Sequence, residues 1–154
     1  MSHENVEVVR KLYESLNRRD WDGMAEVCDP DVELHGTIGG LEEGRLVRGV
    51  DGIRRVTEEE DTEVWEEHLI KPQTFLDAGE RVVVIQREYQ RGKGSGVEVV
   101  ADIAVVIDVR AGRVVRVQPY MDAAAALEAV GLSEQDAQAA SGARSSTRRN
   151  LKHI

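Results

Sequence analysis

The 154-residue chain has one cysteine, one phenylalanine and three prolines, and aromatic residues make up only 4% of it. A lone Cys28 excludes an internal disulfide, so the fold must be held by its core. The formal net charge of −9 lacks the positive field that a nucleic-acid binder uses, so no nucleic acid is expected as partner. No apolar run approaches membrane-spanning length, and the opening MSHENVEVVRKLY lacks the apolar stretch of a signal peptide. The expected location is therefore the cytoplasm, with no membrane partner. His3, His35, His68 and His153 are scattered without zinc-ligand spacing, and no Walker or dinucleotide-binding fingerprint is present. Neither a metal nor any other cofactor is expected.

What remains is a soluble composition, 41% hydrophobic and 32% charged, in a chain long enough for one domain with a proper core. Val6, Val9, Tyr13 and Leu16 recur at helical spacing, and after NRRD a second helix starts with Asp20 as its N-cap. Trp21, Met24, Ala25 and Cys28 fall on the apolar face of that helix, so Cys28 reads as core packing rather than as a nucleophile. Pro30 ends the helix, the short strand VELH follows, and residues 36–49 form a Gly-rich loop. A third helix starts near Val50 and carries Ile53, Val56, Val64 and Trp65. Its middle, EEED, reads as a solvated face or as a break between two shorter helices.

Beyond residue 68 the chain reads as long strands joined by turns at Ala78-Gly79, RGKGSG and RAGR, spaced for an antiparallel sheet. RGKGSG is more simply a hairpin turn than a phosphate cradle. Asp122 then caps a helix that Gly131 closes, and Ser133 and Asp136 have capping-box spacing for one more. Residues 1–135 form the expected domain, and 136–154 a polar basic tail, flexible or an arm on a partner subunit.

Helix, helix, short strand, helix, strand meander and last helix, together with VRKLYESLNRRDWDGMAEVCDPDVELHG, RGVDGIRR, DAGERVVV, RGKGSGVEV and GRVVRVQPYMDAAAALEAVGL, resemble SnoaL-like, polyketide-cyclase-type proteins of the nuclear-transport-factor-two-like superfamily. The likeness runs over roughly residues 4–135. It implies an α+β fold, a curved antiparallel sheet wrapped round helices as a cone-shaped (cystatin-like) barrel. A pocket for a small apolar molecule opens at one end, and two copies pair through the outer sheet face. The superfamily holds isomerases, cyclases, dehydratases and epoxide hydrolases beside members that only bind or scaffold, so fold alone does not decide function.

By position, the general-base slot of the ketosteroid-isomerase-like relatives falls on His35, at the end of DVELHG. Glu33 lies two residues back on the same strand face, where it would orient the ring. This face is expected to look into the cone; the plainer alternative is a histidine lining the pocket mouth. Asp102 interrupts the apolar run VEVVADIAVVIDV, as an acid or base inside the cone, paired with a strand arginine such as Arg87, or facing water on the outer side. Tyr13 is a candidate donor to an oxyanion or a core aromatic with its hydroxyl tied to a neighbour. Trp21, Trp65, Tyr89 and Tyr120 read as pocket walls, with His68 a further ligand-contact candidate. The paired-Asp and Arg arrangement of the epoxide hydrolases is not matched, since Pro119 stands where the second carboxylate is needed. The expected chemistry is cofactor-free proton transfer on an apolar, carbonyl-bearing substrate, with a non-catalytic ligand-binding or scaffold protein as the rival.

Overall fold

The computed structural model describes residues 2–142. Helices α1 (Ser2–Arg18) and α2 (Trp21–Val27) lead into β1 (Cys28–His35) and the short β2 (Leu46–Arg48). Helix α3 (Gly49–Glu59) runs into a π-helical turn, Glu60–Val64. Four long strands follow, β3 (Trp65–Ala78), β4 (Arg81–Gly92), β5 (Glu98–Arg110) and β6 (Arg113–Tyr120), then α4 (Ala123–Ala129) and α5 (Glu134–Gly142). They form one sheet in the order β2-β1-β6-β5-β4-β3, antiparallel except where β1 lies parallel to β6.

The α+β cone is thus present, and three local expectations change. Cys28 begins β1 rather than ending α2, buried opposite Val114. Val64 and Trp65 are not on the third helix: Val64 closes the π-turn and Trp65 opens β3. The Gly-rich loop contains β2, which extends the sheet by pairing Leu34 with Val47. The capping readings hold: Asp20 accepts from the Gly23 amide at 2.9 Å, and Asp122 from the Ala124 amide at 3.0 Å. Ser133 and Asp136 cap α5 reciprocally. This helix runs across the 135/136 boundary, and most of the basic tail lies outside the described residues.

Strand alternation separates two cores. On the inner face Val82, Val84, Ile103, Val105 and Ile107 pack against Val9, Leu12 and Tyr13 of α1, Met24 of α2 and Ile53 of α3. On the outer face Leu76, Val83, Ala104 and Val106 are covered by Ala126 and Leu127 of α4. Among the described residues no helix is long and apolar enough to cross a membrane.

Candidate functional site

The inner core does not close at the end of the sheet nearest the 36–45 loop. A cavity of about 380 Å³ remains, lined mainly by apolar side chains, among them Leu16, Met24, Val47, Ile53, Ile70 and Val117. Its polar groups come from few elements. Strand β4 continues the buried face of Val82 and Val84 with Gln86, Glu88 and Gln90, which all line the cavity. Strand β3 adds His68, opposite Gln90. The π-turn adds Glu60, α1 supplies Tyr13, and the turn that follows α1 supplies Arg19. Gly36 lies at the mouth, where a Cβ would stand 1.7 Å from the Glu42 carbonyl oxygen, so only glycine lets the loop cross here.

These groups form a directional chain. Tyr13, buried, donates its hydroxyl to Gln86 Oε1, and burial, then the Glu88 charge, raises its pKa well above the ordinary phenol value. That bond orients the Gln86 amide so that Nε2 donates to Glu88 Oε1 at 3.0 Å. Burial raises the Glu88 carboxyl above the ordinary carboxylate range, and the charge of Glu60 adds to it. Glu60 is likewise raised by burial, against a weak 3.4 Å bond from the Trp65 indole.

His68 is held below the ordinary imidazole value by burial and by the nearby Arg19 charge. Its Nε2 faces the amide nitrogen of Gln90 at 3.5 Å; since an amide nitrogen only donates, a neutral ring in that contact carries its proton on Nδ1. Arg19 has left-handed backbone, φ 54°, where α1 turns toward α2. Its guanidinium clamps Asp61 with bonds of 2.8 and 2.9 Å and also reaches the Leu16 carbonyl at 2.7 Å. The π-turn thus lets successive residues serve different partners: Glu60 lines the cavity while Asp61 meets Arg19.

The residues singled out in the sequence divide by strand phase. Leu34 pairs with Val47 and Val117, and all three line the cavity. Alternation therefore puts Glu33 on the opposite face, across from Arg48 and Arg116, and Glu33 is absent from the lining. The expectation that the Glu33/His35 face looks into the cone is corrected accordingly. His35, at the strand end, borders the mouth, but its Nε2 lies 2.9 Å from Glu33 Oε1 and 3.2 Å from Arg116 Nε, so that nitrogen is occupied. The bond from His35, joined by the charges of Arg48 and Arg116, holds Glu33 below the usual carboxylate range.

Asp102 also faces away. Its register partner is Arg87, which it meets at 2.9 Å on the exposed side of the sheet, with 57% of its side chain accessible. Tyr13 does line the cavity, yet its hydroxyl is committed to Gln86, so it is not a free oxyanion donor. His68, the further ligand-contact candidate, lines the cavity; of the expected walls, Trp65 meets Glu60 and the His68 ring without being part of the lining. Trp21 packs against the inner core, Tyr120 against the outer one, and Tyr89 sits on the outer face between Leu69 and Val100. Missed in the sequence were Glu88, Glu60, Gln86 and Gln90. For the β4 residues the signal was available, a polar period of two continuing from Val82 and Val84. Among the described residues no group of three or more His, Cys, Asp or Glu is arranged to hold a metal.

A curved sheet closed by helices over an apolar cavity with a few buried polar groups defines a small-molecule pocket protein of the NTF2-like fold. The sequence model of the SnoaL-like domain matches residues 9–117, and the chain belongs to the SnoaL-like family. No curated protein matches the sequence. Among solved structures, TerC co-crystallised with polyporic acid is similar, with a TM-score of 0.67 and 26% identity over 82% of this chain and 98% of that one. An NTF2-like protein from Burkholderia pseudomallei gives 0.66 and 26% over 83% and 98%. An LEH-like epoxide hydrolase from M. tuberculosis, at 0.62 and 16% identity over 79% and 80%, shares the fold alone.

Proposed function

We propose that this protein is a cofactor-free enzyme of the isomerase, cyclase or lyase type, moving a proton on an apolar, carbonyl-bearing small molecule. The observation that carries this reading is Glu88: a carboxyl raised by burial, inside a mainly apolar cavity and oriented by a buried Tyr13–Gln86 chain. A carboxyl raised above its ordinary value has a more basic anion than a solvated carboxylate. Glu88 takes a proton from the carbon beside the carbonyl. The C–H pair becomes the carbon–carbon double bond of an enolate, and the carbonyl pair moves onto oxygen. Returning the same proton at another carbon completes an isomerisation; collapse of the enolate onto an internal electrophile, which takes up the electron pair, completes a cyclisation. Neutral His68, with its proton on Nδ1, is the donor for the oxygen.

Solvent-deuterium incorporation into a panel of apolar ketones, followed by mass spectrometry, tests this. Glu88→Gln should slow exchange on the order of a hundredfold or more, while His35→Ala should leave most of it. Equal exchange by E88Q and wild type would remove Glu88 from the chemistry. A protein that binds the ketones but exchanges none of them would be the non-catalytic ligand carrier.

Two copies pairing through the outer sheet face is part of the same proposal. It is supported by a strip in which exposed Leu69 and Val100, 42% and 59% accessible, flank the half-buried Tyr89. Light scattering of Val100→Lys should then report a monomer.

A further inference from the structure

Proton transfer by Glu88 leaves one cavity carboxyl without a task. Glu60 lines the same cavity, and its only side-chain hydrogen bond among the described residues is the 3.4 Å contact from the neutral Trp65 indole. Neither it nor Glu88 forms an ion pair among the described residues: Glu60 feels the Arg45 charge, but the cavity arginines are bonded elsewhere, Arg19 to Asp61 at 2.8 Å and Arg45 to Glu42 at 3.1 Å. Apart from the His68 ring, the side-chain donors nearest these carboxyls are spent as well. The Tyr13 hydroxyl goes to Gln86, the Gln86 amide to Glu88, and the Thr57 hydroxyl to the Ile53 carbonyl at 2.8 Å. The wall therefore offers a ligand two carboxyl groups with capacity to accept, set in apolar surroundings where an unpaired charge is costly.

We infer that the ligand of this cavity carries a basic nitrogen as well as an apolar body, its ammonium group pairing with Glu60. The inference rests on the proton-transfer reading only for the carbonyl; the ammonium site stands on the pairing of the cavity charges. A bound cation favours the ionised over the protonated carboxyl, so docking an amine lowers the pKa of a carboxyl that burial raises and drives off any proton it holds. A neutral molecule of the same shape gains neither the ion pair nor this proton release.

Calorimetric titration with benzylamine, benzyl alcohol and benzoate, in two buffers of different ionisation enthalpy, tests the point on the full chain. Benzylamine should bind roughly tenfold or more tightly than benzyl alcohol, with proton release, and benzoate least of all. In Glu60→Gln, checked for an unchanged thermal transition, the preference for the amine should vanish while alcohol binding stays. Alcohol binding as tightly as the amine would overturn the inference, and so would an amine preference that survives in E60Q. The ketone exchange assay separates this from the parent reading. Exchange without amine preference sinks the ammonium site alone, and amine preference without exchange sinks catalysis alone.

Discussion

Replacing Gln86 by leucine removes the middle of the buried chain that joins Tyr13 to Glu88. Gln86 is 5% exposed and Tyr13 6%, so no water replaces what is lost. The Tyr13 hydroxyl is left without its acceptor, a loss of about 1–3 kcal/mol for a buried unsatisfied group. For a chain of this length that corresponds to a fall in Tm of roughly 2–12 °C. Tyr13→Phe strands the Gln86 carbonyl instead, with a loss of about the same size. The double variant Y13F/Q86L strands neither member of this pair, since hydroxyl and amide are both gone, and the bond from Gln86 to Glu88, lost in both Q86L proteins, cancels from the cycle. It should therefore be more stable than the sum of the single losses implies, with a coupling energy of about 1–3 kcal/mol. Thermal and urea unfolding of the four proteins measures this cycle. Strict additivity, or single losses within about 0.5 kcal/mol, would refute the buried hydrogen bond on which the orientation of Glu88 depends.

The pH dependence of stability should contain opposing slopes. Glu88 is raised from 4.5, so its contribution is complete below that pH and is lost as pH rises through the folded value; His68 is lowered from 6.5, so its contribution is complete above that pH and is lost as pH falls. His68→Gln should then leave stability falling with rising pH between these limits, and Glu88→Gln should tilt it the other way; parallel profiles from urea titrations would contradict both assignments. The Cys28 thiol, 2% exposed and pushed up to about 12 by burial, is on the order of 0.01% thiolate at pH 8, so a thiol reagent should label it only as fast as the protein opens. Asp102→Ala removes an exposed ion pair, so it should cost no more than about 1 kcal/mol and leave ketone exchange unchanged; a large loss of exchange would place Asp102 in the mechanism after all.

The elements were legible because their signals are local. Val6, Val9, Tyr13 and Leu16 make an amphipathic helix wherever it packs, and Asp20, Asp122 and Ser133 cap by contacts within a few residues. The parallel β1–β6 pair and the capture of β2 from the glycine-rich loop depend on segments far apart in the chain, and nothing local announces them. Glu60 is another such case. EEED is acidic enough to read as a solvated face, and only the π-turn, with Arg19 holding Asp61, delivers Glu60 to the cavity.

The site residues turn on a different point, the phase of a strand. Alternation says which residues share a face but not which face is inside. In the first half of β4 both faces are buried, with Val82 and Val84 in the inner core and Val83 in the outer one, so hydrophobicity does not mark the inside. An aspartate interrupting the valine-rich β5 then attracts attention as a possible catalyst. Cross-strand register resolves this. Once Arg87 stands opposite Asp102 in water, Gln86, Glu88 and Gln90 must point inward, and Ile103 and Ala101 fall opposite Gln86 and Glu88. The same logic turns Glu33 out once Leu34 meets Val47 and Val117. One ion pair on the water side of a sheet thus tells which polar residues of the neighbouring strand face the cavity, and here the cavity carboxyl is Glu88 rather than Asp102.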